Sequence, residues 1–124
     1  MGTMQRNKGR RAEQLIVNRL KDAGFESAAR NLNQTRESGY DITGLEPFAI
    51  EIKDHKKLCV PQWWQQTTDN AAGDLIPCLI YHIPHTSHWR VQLPMSVLNP
   101  ELCSSRTVTV DFEDFVYVAR EIVA

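Results

Sequence analysis

At 124 residues the chain has the length of one domain, and its ordinary apolar content of 42% can bury a core without disulfide staples. A net charge of −1 gives no global sign of a nucleic-acid partner, and no apolar run reaches bilayer-spanning length. The front is polar and basic without a hydrophobic signal segment, and the three cysteines (Cys59, Cys78, Cys103) are far apart with no Cys-x-x-Cys pair, so reduced thiols in a cytoplasmic, intracellular protein are expected.

Charge is unevenly spread. Residues 1–36 carry eight Lys/Arg against three acids, whereas residues 58–124 carry three against seven. A basic patch containing Arg10, Arg11, Arg30 and Arg36 can bind phosphates on a molecule that is neutral overall, although a solvated helix face has the same composition.

Along the chain, Ala12, Leu15, Ile16, Leu20 and Ala23 have the spacing of an amphipathic helix over residues 7–23, with Gly24 placed to end it. Glu13 falls on the margin of that apolar stripe, where a carboxylate needs a partner: Arg10, Arg11 or a metal. Residues 25–32 read as a strand, followed by a polar loop from Asn31 to Ser38 bracketed by Arg30 and Arg36. Next come a short strand carrying Asp41, a turn over residues 44–47, and a strand from Phe48 to Lys53. Strand alternation puts Phe48, Ile50 and Ile52 on one face and Ala49, Glu51 and Lys53 on the other. Glu51 and Lys53 then project side by side over whatever Asp41 faces.

Asp54 to Leu58 is a charged stretch containing His55, Lys56 and Lys57. Pro61 opens a helix to about Ala72 that carries Trp63, Trp64, Gln65 and Gln66, with one tryptophan expected on the sheet. Leu75 to Ile83 is an apolar run that reads as a buried central strand, and His88 to Leu93 as its returning partner. His82, His85 and His88 recur every third residue, but no Cys or acid supports a zinc site locally. Thr107 to Val110 is a short strand, after which Asp111 caps a last helix carrying Phe112, Phe115, Val116, Ala119 and Ile122.

The order of a helix with Glu13, a strand, an Asp41 strand, a Glu51-x-Lys53 strand, a helix and an apolar strand resembles the core of the PD-(D/E)XK nuclease superfamily. Within it the N-terminal half is most similar to archaeal-type Holliday junction resolvases and related phage-encoded nucleases. The resemblance covers about residues 6–90, and one departure is Tyr40 where proline is usual before the aspartate. It implies a mixed α/β, restriction-endonuclease-like domain: a helix, a three-strand meander, a helix and a strand around a mixed sheet. The core is expected over about residues 6–93 of a single domain spanning 1–124, with the strand and helix of 107–123 appended.

The resemblance also implies that Asp41 and Glu51 ligate Mg²⁺ (or Mn²⁺) with Glu13 assisting directly or through water. Lys53 would orient the attacking water or stabilise charge on the phosphate, and Gln66, or its rival Gln65, would be an auxiliary residue. Arg10, Arg11, Arg30, Arg36 and Lys56 would contact DNA. Phosphodiester hydrolysis needs a nucleophile made from water and neutralisation of growing negative charge, and magnesium on carboxylates supplies both. The expected activity is a divalent-metal-dependent DNA endonuclease acting on branched DNA. Symmetric junction cleavage requires a homodimer, for which Trp63 or Trp64 and the outer side of the 112–123 helix offer apolar patches. The competing readings are a restriction- or repair-type nickase of the same fold and a non-catalytic DNA-binding domain; the intact Asp41, Glu51 and Lys53 argue against the latter.

Overall fold

The computed structural model describes residues 2–32, 39–102 and 105–123, with side chains from residue 7 onward. In chain order the elements are α1 (Gly2–Asp22), β1 (Ala29–Arg30), β2 (Ile42–Thr43), β3 (Phe48–Lys53), α2 (Val60–Asn70) and β4 (Ile76–His82). They continue with β5 (Trp89–Pro94), a 3₁₀ turn (Met95–Val97), β6 (Thr107–Asp111) and α3 (Phe112–Ile122). The six strands form one sheet whose spatial order is the chain order. Every neighbouring pair is antiparallel except β3 and β4. A parallel pair cannot be closed by a hairpin, and α2 is the crossover that makes this one reachable.

That single parallel step places a helix on each face of β3. On one face Phe48, Ile50 and Ile52 meet Ile16 and Leu20 of α1 and Phe115 of α3 in the main core, where the Phe48 and Phe115 rings pack edge to face with centroids 5.3 Å apart. On the other, Trp63 of α2 packs on Leu79 and Tyr81. Each such fully buried large side chain contributes about 1.5–3 kcal/mol of transfer free energy. The consequence for function is immediate: β3 has no solvent face, and Glu51 is only 3% exposed.

Several expectations need correction. The strand foreseen over 25–32 shrinks to Ala29–Arg30. Phe25 instead closes the end of α1, its N–H on the Leu20 carbonyl at 2.9 Å, and Ala28 follows in a turn on the Phe25 carbonyl at 3.2 Å. Phe25 and Ala28 thus reach the core from a turn rather than from a strand. Gly24 does end α1 with φ +105°. Asp41 stands just before β2 rather than within it, though its N–H still pairs with the Ile50 carbonyl at 2.7 Å. Pro77 lies inside β4. It is tolerated because β5 pairs β4 only from Leu79 onward, so no ladder bond is lost there. Gly44 (φ +87°) is obligatory twice over, since a Cβ would stand 1.9 Å from the Ser27 carbonyl oxygen.

Asp111 occupies the N-cap position of α3 but its side chain makes no capping hydrogen bond; it lies 3.9 Å from Arg90 Nε across the β5–β6 pair. Trp63 is 8% exposed and leaves the apolar surface, while Trp64 stays half-buried and Tyr117 of α3 is 67% exposed. His82 is held by Asp54 (Nδ1 to Oδ1, 3.0 Å), bonds the Thr86 carbonyl and stacks on Trp89, while His85 and His88 are exposed in the hairpin. Cys59 and Cys78 are free thiols, Cys78 fully buried, and Cys103 lies outside the described residues. Among the described residues no helix is long and apolar enough to cross a membrane.

Candidate active site

Where β3 leaves the sheet, α1, the segment before β2 and α2 leave a recess of about 670 Å³. Its lining contains Asp41, Glu51, Lys53, Glu13 and Gln66, five residues singled out from sequence. Each arrives by a different route. Asp41 is fixed by its backbone bond to Ile50 and by its own carboxylate, whose Oδ2 accepts the Ile52 N–H at 2.8 Å. Glu51 and Lys53 come from the α2 face of β3, and Glu13 from α1.

The acids are unequal. Glu51 accepts a hydrogen bond from Asn70 Nδ2 at Oε1 (2.8 Å) and also shares a hydrogen bond with the Asp41 carboxyl. Burial first, and then the Asp41 charge, push Glu51 up to about 8, against the pull of Asn70 and Lys53. Glu13 is also raised, by burial and then by Asp41, but Arg30 counters with a bond from Nε to Oε1 at 3.1 Å. Arg30, rather than Arg10 or Arg11, is therefore the partner Glu13 required. The reason is topological: β1 folds back against α1, a contact that helix spacing cannot reveal.

The remaining expected residues divide. Lys56 lines the recess, whereas Arg10 and Arg11 are exposed on α1, Arg11 bonding the Asn7 carbonyl of its own helix. Arg36 lies outside the described residues. Gln66 lines the recess and Gln65 does not; Gln65 bonds Asp69 one turn along at 3.0 Å. Sequence reasoning missed Asn70, Lys8 and His55. Asn70 was within reach of it, since it stands four residues after Gln66 and shares that face of α2. Lys8 lines the recess and approaches Asp54 at 3.8 Å. His55, against Trp63 with ring centroids 5.3 Å apart, is lowered by burial and then by Lys53 and Lys8.

A buried carboxylate and a half-buried one set against each other form a hard-oxygen site that a divalent cation would relieve of its repulsion, so the donor set fits Mg²⁺ or Mn²⁺. Among the described residues no three His, Cys, Asp or Glu side chains gather to metal-holding distance. The family model described as "Phage putative PDDEXK endonuclease" matches residues 4–121. No curated protein and no solved structure matches the chain.

Proposed function

The chain belongs to this phage PDDEXK endonuclease family, with a mixed α/β, restriction-endonuclease-like fold, and from that premise we propose that it hydrolyses DNA phosphodiesters with Mg²⁺, Mn²⁺ serving in its place. The observation that carries the reading is the Asp41–Glu51 pair, the buried Glu51 of β3 facing the half-buried Asp41 before β2, in a recess that also holds Lys53. Asp41 and Glu51 would hold the ion, with Glu13 acting through water. When bound, the ion supplies a water of lowered pKa and neutralises charge at the phosphate. Lys53 contributes a fixed positive charge for the phosphoryl oxygens, and Gln66 orients the water or the phosphate from α2. Arg10, Arg11, Arg36 and Lys56 carry the DNA backbone past the recess. Arg30, which bonds Glu13 through Nε, would add its positive charge along the same strand.

The substrate class we favour is branched DNA cut in the manner of a Holliday junction resolvase, by a homodimer that brings two recesses to one junction. Trp64 and the Tyr117 side of α3 are the apolar surface for that dimer. The test is a magnesium-dependent cleavage panel of four-way junction, flap, nicked duplex and plain duplex, run beside sedimentation at micromolar chain. Paired cuts on opposing junction strands by a species of twice the chain mass are expected. A monomer that nicks plain duplex as fast as junctions would replace the resolvase reading with the nickase reading; no cleavage of any substrate with either metal would remove the enzyme.

A further inference from the structure

Gly39 is unusual among the glycines that border the recess. It is absent from the positive-φ residues, so its backbone does not demand glycine. What it lacks is room: a Cβ there would stand 2.7 Å from Cγ, 2.7 Å from Nδ2 and 2.8 Å from Oδ1 of Asn70. All three amide heavy atoms are equally near, so the Asn70 amide lies flat across Gly39. From that seat Nδ2 donates to Glu51 Oε1 at 2.8 Å. The amide is thus braced from behind by Gly39, two residues before Asp41, and points forward to Glu51.

We propose that Asn70, seated on Gly39, is the positioning residue that sets the orientation of the Glu51 carboxylate for metal binding. An asparagine suits the task chemically. Its NH₂ is a donor that a carboxylate accepts in every charge state, and it adds no charge of its own beside the cation. The side chain is short, so with its amide pressed on Gly39 it has few rotamers left, and the carboxylate it holds loses its swing. Partners of this kind, which bond a metal's carboxylate rather than the metal, typically contribute ten- to a hundredfold to affinity. The inference rests on the metal-nuclease reading of the same recess.

Mn²⁺ titration calorimetry without DNA separates the two, with Glu51→Gln as the reference for a lost ligand. Wild type should bind Mn²⁺ and Glu51→Gln should not. Asn70→Ala should bind roughly tenfold or more weakly. Asn70→Leu keeps the volume without the donor and should lose as much, whereas a residue that only fills space would leave it like wild type. Gly39→Ala, which unseats the amide without removing it, should match Asn70→Ala, and the double variant should be no worse than either single. With DNA, kcat should fall while KM stays level. Asn70→Ala and Asn70→Leu both within twofold of wild type would overturn the proposal and leave the nuclease reading standing, as would losses at Gly39 and Asn70 that simply add. Wild type and Glu51→Gln binding Mn²⁺ alike would overturn both. If Gly39→Ala does not fold, the two Asn70 variants decide alone.

Discussion

Two glutamates line the same recess and have been treated differently by the fold. Glu13 sits on a helix margin and is met by Arg30 at 3.1 Å, a half-buried ion pair that offsets part of the cost of its burial and of the Asp41 charge. Glu51 lies deeper, and among the described residues no cation comes within ion-pair distance of it; its partners are an amide and another acid. A structural acid is compensated by the chain, whereas an acid left facing an acid keeps its compensation for something the chain does not contain. The cluster of Asp54 with His82 and Lys8 at the rim follows the Glu13 pattern.

The contrast is tested most strongly at the acids themselves. Asp41→Ala or Glu51→Ala should bring metal-dependent cleavage to background while DNA binding largely persists, because phosphate contacts come from other residues. Lys53→Ala should slow turnover by roughly a hundredfold. Gel-based cleavage and a parallel binding assay measure both, and wild-type turnover by Glu51→Ala would end the site assignment.

A smaller effect, on stability, follows from the sign of the Glu51 shift. Its folded value of about 8 lies above the ordinary carboxylate value of 4.5, so between those limits the folded chain holds a proton that the unfolded chain has released. The Glu51 contribution to metal-free stability should therefore be fully present below about pH 4.5 and be lost as pH rises toward 8, by up to a few kcal/mol. Chemical denaturation across that range should show the decline in wild type and a flatter profile in Glu51→Gln. Added Mn²⁺ should restore stability at the alkaline end; an unchanged slope in Glu51→Gln would mean that another group governs it.

The smallest effect belongs to the compensated acid. Arg30→Ala or Glu13→Gln should cost roughly 1 kcal/mol of stability, the scale of a partly exposed pair. Turnover should fall by less than tenfold, so a loss at Glu13→Gln equal to that at Glu51→Ala would erase the distinction between the two glutamates.

How much of this was legible in the chain depends on the range of the interaction involved. Helical and strand periodicities are local, so the spans of β3, α2, β5 and α3, the Gly24 stop and the Asp41–Glu51–Lys53 spacing could be read from sequence with small boundary errors. Tertiary structure decided the rest. Residues 25–32 read as strand because a short stretch with a few apolar residues does not distinguish a strand from a turn that packs on a core. Alternation put Glu51 and Lys53 on one face of β3 without saying that α2 covers that face and buries Glu51. The choice of Gln66 over Gln65, the pairing of Glu13 with Arg30 and the bond from Asn70 all depend on where a helix docks and how β1 returns. The sequence alone determined which residues have the chemistry to hold a metal and a phosphate. The partners of Glu13 and Glu51 came from contacts between residues 17 and 19 positions apart, brought together only when the sheet and its helices pack.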